Sequence, residues 1–335
     1  MKEAMFYEAA KKETVNCRLC ARRCKRIKPG KTGFCGVRKN VDGKLYSLVY
    51  GKACSAAADP IEKKPLFHFA PGTMCLSIAT VGCNFRCLHC QNWEISQGYG
   101  EIDGKDLEPE KVVGLAKGQG MKGIAYTYTE PTVFYEYAYD TMRLARKAGL
   151  YNVWVSNGYT TPEAIKHMSK LLDAVNVDVK GNDEFYKKVC KTPGLQPVYD
   201  ALLAYKEAGV WVEVTNLVIP GYNDNEKDIR GIVRWLHDNM GPDTPLHFSA
   251  FFPNFKLTNV GPTPPKTLEK AYGIAKDAGM RWVYLGNVPG SAYESTACPR
   301  CGKVIIKRIG YTIAKYGDRC KECGVKVPIA GAKWL

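Results

Sequence analysis

The stretch GCNFRCLHCQNW, Gly82–Trp93, sets Cys83, Cys87 and Cys90 at positions i, i+4 and i+7 and contains no fourth cysteine. A structural zinc site wants four ligands in a tetrahedron. An iron–sulfur cube held by three cysteines instead leaves one iron free to chelate something else. The spacing therefore points to a cluster whose open corner binds a substrate or cofactor. The competing reading is a zinc or ordinary cluster site completed by Cys75, His89 or another distant ligand.

Two further cysteine groups stand near the ends of the chain. CPRC and CKEC supply Cys298, Cys301, Cys320 and Cys323, with eighteen residues between the two knuckles, the pattern of a zinc ribbon. Near the start, CRLCARRC and a later thiol supply Cys17, Cys20, Cys24 and Cys35, a spacing that suits either zinc or an auxiliary iron–sulfur cluster. Zinc asks less of its surroundings and is slightly favoured; an auxiliary cluster would act as an electron relay or second substrate anchor. Cys54, Cys75 and Cys190 fall outside the groups. Fourteen cysteines gathered in this way are more often metal ligands than cross-links in a reducing compartment. The N-terminus lacks the apolar core of a secretory signal, and no stretch approaches the roughly 20 apolar residues of a membrane span. A cytoplasmic protein with no membrane partner is expected.

A rhythm of short β-rich runs and longer amphipathic stretches must position these thiols. Strands are predicted at 76–81, 123–128, 152–156, 174–179, 210–218, 246–252 and 281–286, with helical patterns between them. Alternating βα units imply a parallel sheet with helices outside, here a partial (β/α)6-type TIM-like barrel of the α/β class. Chemistry in such barrels gathers at the C-terminal ends of the strands. The first strand runs into the three-cysteine loop, the second into Glu130, and the third into Ser156 and Asn157. The fourth ends at Asp178 and Lys180, the fifth carries Asn216, and His247 lies near the start of the sixth. The expected organisation is a basic Cys-rich module over 1–52, a connecting segment over 53–75, the barrel over 76–290 and the zinc ribbon over 291–335. In the connecting segment, Asp59, Glu62, Lys63 and Lys64 either line the barrel mouth or, as favoured here, form a solvated loop. The formal charge of +15 is uneven: the first 52 residues carry +10, residues 298–335 carry +7, and the middle carries −2. Either this is a solvated lysine-rich surface, or it receives an acidic protein or RNA.

The motifs DPIEKKPLFHFAPGT, GCNFRCLHCQNWEIS, YTYTEPTVFYEY, VSNGY, NVDVKG, LVIPGYND and YLGNVPG give the chain a specific resemblance. Over roughly residues 17–330 it resembles the radical S-adenosylmethionine (radical SAM) superfamily. Within it, the chain looks like the radical enzyme of the AmmeMemoRadiSam group, related to pyruvate formate-lyase activating enzymes. The resemblance implies a 4Fe–4S cluster on Cys83, Cys87 and Cys90, whose free iron binds the amino and carboxylate groups of S-adenosylmethionine. It places Tyr128, Thr129 and Glu130 where the activating enzymes have Gly-Gly-Glu, which receives the methionyl amino group. It gives Lys180, with Asp178, a pairing role toward the methionyl carboxylate. Asn157, Asn216 and His247 would contact the ribose or methionine. Val155 stands where the activating enzymes have Asp, so a cation site there is not implied.

The function so implied is reductive cleavage of S-adenosylmethionine to a 5′-deoxyadenosyl radical, which takes hydrogen from a protein, as in glycyl-radical activation, or from a small molecule. Such an oxidoreductase-like enzyme needs an electron donor such as ferredoxin or flavodoxin. One alternative keeps the chemistry and makes the substrate RNA, using the basic terminal modules. Another is a non-catalytic metal-binding scaffold, which the Glu130, Asp178 and Lys180 constellation argues against.

Overall fold

Seven of the β-rich runs form parallel strands in the computed structural model, which describes residues 1–335. They are β2 (Met74–Ala79), β3 (Gly123–Tyr126), β4 (Tyr151–Ser156), β5 (Ala174–Asp178), β6 (Trp211–Val218), β7 (Leu246–Ala250) and β8 (Val283–Gly286). An eighth strand, β1 (Ser55–Pro60), pairs antiparallel with β2 at the edge. It falls within what reads in sequence as a connecting segment, because SAAADP has no apolar run to mark it. The sheet runs in the order β8 to β1 and does not close, since β8 and β1 have no ladder between them. This is the expected partial TIM-like barrel.

The covering helices follow from their spacing. In Glu226–Asn239, Ile229, Ile232, Val233 and Leu236 recur at helical intervals and are buried, while Asn225 caps the start by accepting from Asp228 N–H at 2.9 Å. Gly241, at φ +100°, sits just past its end in a left-handed turn that glycine adopts at little cost. No helix is long and apolar enough to cross a membrane.

Inside the barrel, alternate residues of β6 and β7 point inward. Glu213 and His247 meet at the floor at 2.8 Å, while Thr215, Leu217 and Ser249, further along the same inward faces, line the cavity at the strand ends. The floor is closed by residues 61–73 and the C-terminal ribbon, a hairpin of Val304–Ile309 and Thr312–Lys315. Arg308, 2% exposed, donates to Phe67 O at 2.7 Å and lies over the Phe67 ring.

His68 crosses this seam. Pro328 O can only accept, so at 3.1 Å it receives the Nδ1–H, leaving Nε2 to accept from the Tyr284 hydroxyl. Burial lowers the His68 pKa from 6.5 to about 4. The fold therefore holds a neutral ring, and its stability is present above the unfolded value and lost as pH falls from 6.5 toward 4. The expected loss is about 1.4 kcal/mol per pH unit in that window. A melting-temperature series from pH 7 to 5 should fall for the parent chain and fall less steeply for His68→Gln; equal slopes would refute the assignment.

The N-terminal module packs on the opposite, C-terminal side of the strands. Its hairpin, Arg38–Val41 and Lys44–Ser47, turns on Asp42-Gly43, both at positive φ, as a two-residue hairpin requires. Arg38 and Glu136 form a bidentate ion pair at 2.8 and 3.0 Å, both side chains buried, which ties the module to the helix Tyr135–Lys147. Removing one partner would strand a buried charge.

Candidate active site

The C-terminal ends of the strands surround a cavity of about 300 Å³. Cys83, Cys87 and Cys90 enter it from the loop after β2, Tyr128 and Thr129 from the end of β3, Asn157 from β4, and Asp178 and Lys180 from β5. The cysteine loop begins at Gly82, φ +98°, where an added Cβ would meet Val37 Cγ1 at 2.6 Å. Only glycine fits that turn. Segment 189–190 pins the loop through Arg86 N–H to Cys190 O at 3.1 Å and Leu88 N–H to Val189 O at 3.0 Å. Arg86 also donates to the carbonyls of Cys83 and Phe85 at 2.7 Å each.

The three thiols are poorly solvated. Burial and nearby Glu130 raise Cys83 well above its ordinary range. Cys87 is raised first by its hydrogen bond with Cys190 and then by burial. A coordinated metal would deprotonate both, so metal loading releases protons here. Cys190, outside the sequence groups, thus sits against Cys87, yet it does not line the cavity.

Lys180 Nζ meets Asp178 Oδ2 at 2.6 Å. Burial works against the ammonium, but Asp178 and the Cys87 and Cys190 thiols carry its pKa above the usual lysine value. Lys180 is therefore a fixed cation beside the three-cysteine loop. Tyr128 adopts φ +66°, unusual for a bulky residue. Its hydroxyl donates to Asp59, Lys64 lies over its ring, and Asn92 Nδ2 donates to its carbonyl at 2.7 Å. These contacts hold the strained residue in place.

The favoured solvated loop at DPIEKKP is instead folded inward. Asp59, Glu62 and Lys64 are buried, and Lys63 and Lys64 both line the cavity. Asp59 binds Lys63 and Lys64 at 2.7 Å each. Burial opposes its ionised form, but the two lysines and Tyr128 hold Asp59 well below the usual carboxylate range.

Three residues expected at the mouth lie elsewhere. His247 is at the floor, with Nε2 at 2.8 Å from Glu213 Oε2, because it stands one residue into β7 and the strand ends come later. Asn216 has the opposite strand parity from Thr215 and Leu217, so it points out of the barrel; its Nδ2 donates to Val179 O at 2.7 Å and braces the Asp178–Lys180 segment. Glu130 is wholly buried beneath the cavity wall. Its Oε1 accepts from Thr132 N–H and Ser156 Oγ, and its Oε2 from Asn157 N–H at 2.8 Å. Sequence reasoning missed Thr215, Ser249 and Asn287, which line the cavity. Strand parity counted from Leu217 would have found Thr215.

The cavity suits a polar ligand beside a cluster. Thr215 Oγ1 is buried there without a hydrogen-bond partner, and three thiols lie within reach of a fixed cation. A larger groove of about 870 Å³ lies at the opposite end of the strands, against Pro328–Trp334, and gathers no thiol.

In the C-terminal ribbon, Cys298, Cys301, Cys320 and Cys323 place their sulfurs all within 4.8 Å of one another. Cys298 to Cys323 is 3.3 Å and Cys301 to Cys320 is 3.5 Å. A tetrahedron with metal–sulfur bonds of about 2.3 Å has edges of about 3.8 Å, close to this spacing.

Known proteins resemble this chain in sequence and in fold. The Radical SAM superfamily profile matches residues 77–236. The chain is 50% identical to "Uncharacterized protein MJ0808" of Methanocaldococcus jannaschii, over 98% of this chain and 99% of that one. It is 24% identical over 198 residues to GTP 3′,8-cyclase of Rhizobium etli, covering 56% of this chain and 54% of the cyclase. Among solved structures, Streptococcus suis SuiB bound to S-adenosylmethionine superimposes with a TM-score of 0.50 at 10% identity, over 68% of this chain and 53% of SuiB. That likeness is one of fold.

Proposed function

Because the chain belongs to the radical SAM superfamily, whose membership implies a 4Fe–4S cluster and S-adenosylmethionine, we propose that it cleaves S-adenosylmethionine reductively and removes hydrogen from a substrate entering at the barrel mouth. The observation that carries this reading is the cavity in which Cys83, Cys87 and Cys90 face the fixed ammonium of Lys180 and the orphaned hydroxyl of Thr215. When bound, the cluster supplies the electron that breaks the sulfonium–carbon bond. The chain's own residues bind and orient. Lys180 offers its ammonium to the methionyl carboxylate, while Asp178 fixes that ammonium in place. The strained Tyr128-Thr129 backbone presents its carbonyls to the methionyl ammonium, held by Asn92 and Asp59. Asn157 and Thr215 provide hydrogen bonds to the remaining polar groups. The buried walls keep competing thiol and C–H hydrogen donors away from a carbon radical.

Anaerobically reconstituted protein should form 5′-deoxyadenosine from S-adenosylmethionine on reduction, and iron-loaded protein that forms none would overturn the proposal. Deuterium transfer from candidate proteins, small molecules and RNA into the product identifies the C–H donor. An RNA substrate would also bind with a steep salt dependence, whereas a small molecule would not. A low-potential electron carrier, of ferredoxin or flavodoxin type, completes the cycle in the cytoplasm.

Zinc is the metal proposed for the ribbon, since its four sulfurs already approach the required tetrahedron. Trp282, 2% exposed, packs with Cys298, Cys320 and Ile306 in the small core beneath the barrel. Chelation should release one zinc and open that core, seen as a red shift of tryptophan emission and a lower melting temperature. Release of zinc without either change would remove its structural role.

A further inference from the structure

We propose that Cys17, Cys20, Cys24 and Cys35 hold a second iron–sulfur cluster rather than zinc, with Asn84 bridging it to the radical site. The inference rests on the reading of Cys83, Cys87 and Cys90 as cluster ligands.

All four N-terminal thiols line one small cavity, together with Asn84. The ribbon's four sulfurs gather within 4.8 Å of one another, as ligands of one metal ion do. Ligands to a multi-iron cube bind separate irons and so stand further apart. Four thiols around one cavity supply the four ligands such a cube takes.

Asn84 supplies a second, independent observation. It is 1% exposed, and its Nδ2 is buried with no hydrogen-bond partner. Its Oδ1 is already occupied, accepting from Asn157 Nδ2 at 2.7 Å. A buried N–H of this kind costs stability unless an acceptor faces it. The acceptor missing beside the four thiols is a sulfur of the cluster or of its ligands, and such hydrogen bonds tune cluster potentials.

The position completes the argument. Arg22 Nε donates to Asn84 O at 2.6 Å, and Arg86 donates to Cys83 O and, at 2.6 Å, to Phe34 O. The two guanidinium groups clamp the Phe34 ring at 3.5 and 4.5 Å. The carbonyl of Cys35 lies 3.0 Å from where a Cβ on Gly82 would stand. A structural zinc gains nothing from so close an approach to Cys83, whereas an electron relay needs it. A low-potential carrier protein loses one electron to the N-terminal cluster. That cluster passes the electron on to the cluster at Cys83, Cys87 and Cys90 and returns to its oxidised state, with no bond to the protein made or broken. The +10 charge of the first 52 residues suits an acidic carrier.

The test is the full chain carrying Cys83→Ala, Cys87→Ala and Cys90→Ala together, purified without oxygen beside the parent. The triple variant should keep about four irons per chain with a 4Fe–4S Mössbauer signature, plus one zinc. An iron-free triple variant holding two zincs would overturn the second cluster; the radical reading would survive if the parent still formed 5′-deoxyadenosine. In the reduced parent, two neighbouring paramagnetic clusters should broaden each other's EPR signals, and the triple variant should show a single sharp signal. Unbroadened signals from two clusters would overturn the juxtaposition. Asn84→Leu should lower the midpoint potential of the cluster that the triple variant retains; an unchanged potential would remove Asn84 from the bridge.

Discussion

Under the proposed function, Cys87→Ala should abolish 5′-deoxyadenosine formation, a loss of about a thousandfold or more, because a cluster proposed to rest on three thiolates is not held by two. The thiol lies between the cavity and Cys190, 7% exposed, so alanine leaves the loop little room to collapse. The loop's backbone bonds to Val189 and Cys190 do not involve the side chain, and the fold should persist. The iron content should fall by about four atoms per chain, while ribbon zinc stays. Binding of S-adenosylmethionine should weaken as well, since its amino and carboxylate groups lose their iron. Retained 5′-deoxyadenosine formation at the parent rate would show that Cys87 is not a ligand. A scaffold would behave differently, keeping its partner while losing its iron.

Glu130→Ala should carry the second large effect, on stability before activity. The carboxylate accepts from Thr132 N–H at 3.0 Å, Thr132 Oγ1 at 2.5 Å, Ser156 Oγ at 2.9 Å and Asn157 N–H at 2.8 Å. Burial pushes its pKa up, while these donors pull it back. Alanine leaves the donors facing a cavity, at an expected cost of about 3–5 kcal/mol and a melting temperature lower by roughly 10 °C. Glutamine does not restore the site. With its oxygen toward Thr132 and Ser156, its amide nitrogen would face the Asn157 N–H. Asn157 in turn holds Asn84 and stands 3.8 Å from Cys83 Sγ, so the cluster loop should loosen too. Calorimetry of the three proteins, with iron counting, checks both parts. A Glu130→Ala chain that melts with the parent would refute the buried-clamp role.

The seven parallel strands were legible because each is a short β-rich run between turn signals, and burial on both faces makes such runs conspicuous. The edge strand Ser55–Pro60 was not, since alanines carry no alternating pattern and its pairing with Met74–Ala79 is decided by the sheet. At the site, the sequence singled out residues near strand ends, but position along a strand does not say which way a side chain points. Asn216 and Thr215 are neighbours with opposite fates, one bracing the Asp178–Lys180 segment and the other opening into the cavity. His247 and Ser249 share a parity and differ in position along the strand, which separates the floor from the mouth. DPIEKKP looked solvated because charge alone favours water; Asp59 reverses that by pairing with two lysines and a tyrosine.

By itself the sequence determined which residues are candidates for the chemistry: the spacing of Cys83, Cys87 and Cys90, and of the two knuckles at the end, is a local property of a few residues. It also determined the βα rhythm, which is a property of periodicity. The tertiary structure alone decided which groups meet. It turned Glu130 into a buried clamp, sent His247 to the floor, drew Lys63 and Lys64 into the cavity and set the N-terminal thiols beside Asn84. Contacts between residues 17–35 and residue 84, or between 59 and 128, arise only when the sheet and its covering loops pack, and no short-range pattern encodes them.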